Sequence, residues 1–130
     1  MWYRMRGDFT VYYNEELRKF DVIYCDLGKP NIEKGSIQCG TRYCIVVSND
    51  RCCKHSGVIQ VVPCTTAKFK SKIPTHMKID ALYGLKEPSL ILNEQIISIT
   101  KASIRRKCGY IDDKAIQDKI NEKLRIQLSL

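Results

Sequence analysis

Histidine and proline are scarce in this chain of 130 residues, with two of the first and four of the second, and tryptophan occurs once. A two-histidine acid–base ribonuclease would need both His55 and His76, and nothing in the sequence places them together. A Walker loop, a GxGxxG stretch, an HExxH pair and a GxSxG elbow are also missing, which removes the commonest nucleotide, zinc-peptidase and hydrolase signatures. No apolar run approaches the ~20 residues that cross a bilayer. The opening MWYRMRGDFT has no uninterrupted apolar stretch and no small-residue cleavage site, so no secretory leader is expected. Cysteine, by contrast, is plentiful: seven are scattered along the chain, an odd number expected to be reduced thiols in a cytoplasm. Cys39, Cys44, Cys52, Cys53 and His55 have zinc-ligand chemistry but lack the C-x2-C hooks that aim two ligands at one metal. Buried or incidental thiols are the better reading, and neither metal nor cofactor is expected.

Positive charge is present in excess. Twenty-two Lys and Arg against fourteen Asp and Glu leave a net charge of +8, which suits polyanionic partners such as nucleic acid or an acidic protein segment. With 44% hydrophobic residues the chain can bury a core, and its length fits one domain. Residues 1–19 read as an N-terminal extension and 20–130 as the domain. In the extension FTVYY alternates like a short strand, and NEELRK, after Asn14, offers a helical turn.

From Phe20 the β-signals become regular. FDVIYCDL (20–27) runs into the turn cluster Gly28-Lys29-Pro30, and NIEKGSIQCGT is a long polar loop. YCIVVS (43–48) is a continuous apolar run of the kind buried on both faces. GVIQVVPCTT (57–66) follows, with Pro63 near its end, where a missing donor is tolerated. KFKSK (68–72) is a basic loop, and 75–79 a strand with Met77 and Ile79 in the core and His76 a structural histidine. SLIL and EQIISI give one or two more strands, and RRK (105–107) reads as a solvated stretch. At the end Ile116, Ile120, Leu124 and Leu128 recur every four residues behind Asp112 or Asp113 as cap, an amphipathic helix. Five or six short strands and a terminal helix predict a mostly β fold, a small, strongly curved β-barrel.

The residues left to carry chemistry are Arg42 and the pair Thr65-Thr66. Arg42 opens one strand at the end of a glycine-containing loop, and Thr65 closes the next. Neighbouring strands of a small barrel can bring such ends together. A guanidinium offers five N–H donors in a planar fork suited to phosphate, and a hydroxyl donates or accepts as needed.

The order and spacing of FDVIYCDLG, GSIQCGTR, IVVSND, VIQVVPCTT, IPTHMKI, GLKEPSLILNEQI and SITKASI resemble the MazF/PemK-type toxins of bacterial toxin–antitoxin pairs. The resemblance runs from about Phe20 to Ile104 and is carried by several blocks at consistent intervals. It implies a PemK/CcdB-like, SH3-like barrel with short additional helices, acting as a homodimer and as a metal-independent, sequence-specific endoribonuclease on single-stranded messenger RNA. It also implies neutralisation by an acidic cognate antitoxin, DNA binding as the toxin–antitoxin complex, and no membrane. The family's catalytic arginine sits in a G-S-E-Q-x-G-x-R-P block, which maps to Arg42. Its catalytic threonine ends a V-x-P-x-T strand, which maps to Thr65. Ile37 stands where that block has its glutamate, so any acid–base role of that carboxylate is absent here, and Tyr43 stands in place of the proline. Ser36 and Gln38, in the loop before Arg42, are candidates for reading base edges, with Thr66 beside them and Gln95 added by resemblance. Lys70 and Lys72 are candidates for tracking backbone phosphates. Two other functions keep the same fold: a gyrase-binding toxin, and a non-catalytic RNA-binding regulator.

Overall fold

In the computed structural model the residues described are 2–4, 11–13, 16–30, 33, 35, 37–66 and 73–130. Among them the order is β1 (Trp2–Arg4), β2 (Val11–Tyr13), β3 (Asp21–Asp26), β4 (Thr41–Val46), α1 (Asp50–His55), β5 (Val58–Thr66), β6 (His76–Ile79), β7 (Ser89–Leu92), β8 (Ile97–Thr100), β9 (Ile104–Tyr110) and α2 (Lys114–Leu128). β1 and β2 form an antiparallel pair of their own. The other seven strands make one sheet in the order β6-β7-β5-β4-β3-β9, with β8 also on β5.

β5 is rich in valine and isoleucine, and it organises the rest. One of its edges holds β4 through Val61–Pro63. Its other edge is divided, with β8 on Val58–Val61 and β7 on Cys64–Thr66. A strand shared in this way curves the sheet strongly, as the sequence predicts, and the path ends at β6 and β9 without closing. Alternate residues point to opposite faces, and both faces are covered. Ile23, Cys25, Cys44, Val46, Ile59 and Val61 pack on one side; Val22, Ile45, Val62, Cys64 and Ile91 pack on the other. That is why the run beginning at Tyr43 is apolar without alternation. Met77 and Ile79 are buried as expected.

α2 covers the second face. Ile120 is fully buried, Ile116 and Leu124 pack beside it, and the Asp113 carboxylate accepts from the N–H groups of Ala115 and Ile116 at 2.9 and 3.3 Å. Leu128, the fourth member of the apolar series, is 48% exposed. No helix among the described residues is long and apolar enough to cross a membrane.

Two local expectations change. Residues 104–110 form a strand, β9, pairing with β3 and not merely a basic stretch; Ile104 is buried while Arg105 and Arg106 face outward. Of the helical turn expected in NEELRK, residues 14 and 15 lie outside the described residues and 16–18 are not helical, although Leu17 is buried in the core. α1, capped by the Asn49 side chain on Cys52 N–H, lies between β4 and β5 and is a short additional helix of the kind the resemblance implies.

One close approach bears on the site below. The backbone at Tyr83-Gly84 lies against that of Cys108-Gly109 so tightly that a Cβ on Gly109 would fall 2.1 Å from the Tyr83 carbonyl oxygen, and one on Gly84 2.3 Å from that of Cys108. Gly84 also has φ +95, where a side chain is strained. Only glycine fits at either place, and the segment leading to β7 is thereby pinned against β9.

Candidate active site

Arg42 is the second residue of β4, and the loop before it is tied at its base. Gly40 donates to the Gly28 carbonyl at 2.7 Å and accepts from Leu27 N–H at 2.9 Å, in a φ +75 conformation that favours glycine. Immediately afterwards Arg42 Nε donates to the Cys39 carbonyl at 3.0 Å, fixing the guanidinium plane. Its two amino groups meet no carboxylate among the described residues. The side chain is half-buried, so the arginine of the strand mouth is a cation with donors to spare.

Thr65 comes to it across the β4–β5 ladder. Cys44 pairs with Pro63, and continuing that register by two residues on each strand brings Arg42 level with Thr65. The ladder stops at Pro63, which has no N–H to give, and Thr65 and Thr66 pair instead with Leu90 and Ser89 of β7. Where the two ladders part, a cleft of about 270 Å³ opens, and Arg42, Thr65 and Thr66 all line it.

The cleft has further walls that sequence reasoning did not select. Tyr24 and Tyr43, cross-strand partners, line it with ring centroids 5.0 Å apart, and the Arg106 guanidinium lies 4.4 Å from the Tyr24 centroid. Tyr43 thus occupies the family's proline position as one member of an aromatic pair. From the segment before β7 come Lys86 and Glu87. The Thr66 hydroxyl donates to Glu87 Oε2 at 3.3 Å. Nothing in LKEPS distinguishes it from a solvated turn, and only the tertiary contact brings it here. Cys64, on the cleft floor, is pushed up to about 12 by burial, so it is a neutral thiol at physiological pH. Beneath Arg42 the buried Cys44 thiol is raised well above its ordinary range, first by its hydrogen bond with Cys25 and then by burial.

Gln38 and Gln95 do not line this cleft but meet each other: Gln38 N–H donates to Gln95 Oε1 at 2.8 Å, so Gln95 holds the loop that ends in Arg42. Gln38 Oε1 is buried without a protein donor. Ser36, Lys70 and Lys72 lie outside the described residues. His76, half-buried, contacts Glu94 Oε2 at 2.6 Å, a pairing between β6 and the turn after β7. Among the described residues no group of three or more His, Cys, Asp or Glu side chains is placed to hold a metal ion.

The profile of a family described as PemK-like, MazF-like toxin of type II toxin–antitoxin system matches residues 18–128. The chain is 38% identical over 115 residues to Endoribonuclease EndoA of Bacillus subtilis, covering 88% of this chain and 96% of that protein. It is 35% identical over 115 residues to Endoribonuclease MazF of Staphylococcus saprophyticus, covering 88% and 92%. In fold it is similar to a MazF crystal structure from Deinococcus radiodurans, with TM-score 0.72 at 17% identity over 90% of this chain and 100% of that one. A mycobacterial endoribonuclease solved with its cognate antitoxin has TM-score 0.70 at 24% identity, over 88% and 96%.

Proposed function

The chain belongs to the PemK-like, MazF-like toxins of type II toxin–antitoxin systems, and on that premise we propose that it is an endoribonuclease that cuts single-stranded RNA between Arg42 and Thr65. The observation that carries the reading is the cleft: a guanidinium and a hydroxyl from adjacent strands line one open pocket at the point where their ladder ends. In RNA the ribose 2′-hydroxyl attacks its own adjacent phosphorus, so the protein need supply no nucleophile. Negative charge then gathers on the non-bridging oxygens, and a donor already aimed at it contributes about 3 kcal/mol. Arg42, with Nε committed to Cys39, has its amino groups left for that work. Thr65 orients the reacting phosphate through its hydroxyl. The products are a 2′,3′-cyclic phosphate and a 5′-hydroxyl.

Base reading falls to Gln38, in the loop before Arg42, with Gln95 holding that loop in place. The body that does this is residues 20–130, as a homodimer. Its messenger RNA substrate puts the reaction in the cytoplasm. A net charge of +8 suits both that substrate and an antitoxin whose acidic segment covers the basic cleft.

The test is incubation with mixed single-stranded RNA in EDTA, followed by end mapping. Wild type and Thr65→Ser give cyclic-phosphate ends; Thr65→Val and Arg42→Ala do not. An oligonucleotide with hydrogen in place of the 2′-hydroxyl at the cut site is bound but left intact. RNA that is shifted on a gel and never cut would instead make the protein a binding regulator.

A further inference from the structure

The reaction so far has an electrostatic stabiliser and an orienting hydroxyl but nothing to receive the 2′-hydroxyl proton. Arginine is a poor base, because its guanidinium holds its proton throughout the accessible pH range. Ile37, in the loop before Arg42, is 54% exposed and brings no acceptor. We propose that Glu87 is the general base: its carboxylate takes the proton from the attacking 2′-hydroxyl. This rests on the nuclease reading above.

Among the described residues that line the cleft Glu87 is the only carboxylate; the other charged groups there are the cations Arg42 and Lys86, and Tyr24, Tyr43 and Cys64 carry no carboxyl group. Its position is built in, although the side chain is exposed. Gly84 is pressed against Cys108, and Leu85 is buried in the core beside it, so the chain leaves the core at a fixed point. Pro88 then restricts the Glu87 backbone to extended conformations. Ser89, buried and paired with Thr66, donates its hydroxyl to the Glu87 carbonyl at 2.9 Å. Finally the Thr66 hydroxyl donates to Glu87 Oε2, one residue from Thr65, leaving Oε1 without a protein partner among the described residues. A carboxylate in a basic, phosphate-binding cleft repels its ligand, so in binding alone it is a handicap; as an acceptor next to the reacting ribose it has a use.

The step balances without a co-reactant. The O2′–H bond breaks and its proton passes to Glu87, the O2′–P bond forms, and the P–O5′ bond breaks. The leaving 5′-oxygen takes a proton from water at the open side of the cleft, and Glu87 returns its own to solvent.

The experiment measures single-turnover cleavage as a function of pH for wild type, Glu87→Gln and Glu87→Asp, alongside binding of an uncleavable 2′-deoxy-substituted RNA. Expected is a loss of about 100-fold or more in Glu87→Gln, the usual size of a general-base contribution, with RNA bound as tightly as by wild type or more tightly. The wild-type rate falls on acidification, where a carboxylate base is occupied by a proton, and the residual Glu87→Gln rate does not. Glu87→Asp retains the acid limb at a reduced rate. Cleavage by Glu87→Gln within about threefold of wild type, or a loss explained by weaker binding with the acid limb intact, overturns the assignment while leaving the nuclease standing. If wild type cuts no RNA, the nuclease reading itself fails and this inference falls with it.

Discussion

Cys25 stands directly opposite Arg42 in the β3–β4 ladder, so the cation of the cleft is paired across the strands with a fully buried cysteine and not with an acid. Removing an arginine from a buried ion pair would strand its partner, but here no partner exists among the described residues. Arg42→Ala is therefore expected to lose only its hydrogen bond to the Cys39 carbonyl, about 1 kcal/mol of stability, while cleavage falls by on the order of 100- to 1,000-fold. Urea melts and single-turnover cleavage on the same preparations check both halves. Destabilisation well beyond one hydrogen bond would show that Arg42 is a structural residue.

Gly109 has no room for a side chain, since its Cβ would meet the Tyr83 carbonyl oxygen at 2.1 Å. Gly109→Ala is expected to destabilise by about 1–3 kcal/mol, the range for overpacking. Because the displaced backbone leads into Lys86 and Glu87, cleavage should fall under conditions where the protein remains folded. Circular dichroism melts with parallel activity assays measure this; an unchanged melting temperature would contradict the close approach.

The cysteines divide by environment. Cys53 is pushed up to about 11 and Cys64 to about 12, both chiefly by burial, whereas Cys52 is exposed. A short iodoacetamide pulse at neutral pH should label Cys52 and spare Cys25, Cys44, Cys53 and Cys64 until the protein unfolds. Peptide mass spectrometry with and without denaturant reads this directly.

Asp21 is fully buried, and although Arg18 N–H, Arg18 Nε and Lys107 all approach it, burial dominates and raises its pKa above the ordinary 3.8. A carboxyl whose folded pKa is raised holds its proton more tightly folded than unfolded. Its contribution to stability is therefore fully present below the ordinary value and is lost as pH rises through the raised one. Asp21→Asn cannot lose it. The stability difference, variant minus wild type, should grow with pH from about 3.8 and then level off. Denaturant titrations across pH 3 to 8 test the sign, and a difference that shrinks with pH would refute it.

Much of this was legible in the residues, and the remainder has physical reasons. Arg42 and Thr65 could be chosen because they end apolar runs whose order is distinctive, and both line one cleft. β9 was obscured by its own edge position. It lies at one end of the sheet order, where Arg105 and Arg106 face solvent and blunt further pairing, and charge breaks the alternation that marks a strand. Leu128 shares the period of α2 but not its burial, because periodicity gives a face without saying where the surface beneath it ends. Glu87 lies within the block GLKEPSLILNEQI but carries no mark of its own. Its significance comes from Thr66, twenty-one residues earlier, and from glycines that let two backbones touch.

β3 pairs with β4 on one side and with β9, some eighty residues further along, on the other. Pairings of such sequence separation are slow to form and cannot form before both strands exist. A ribosome making this chain must therefore have added β9, through Tyr110, before the sheet can be completed. An RNA-cutting enzyme is thus born with its cleft residues made well before the strand that completes the sheet beneath them.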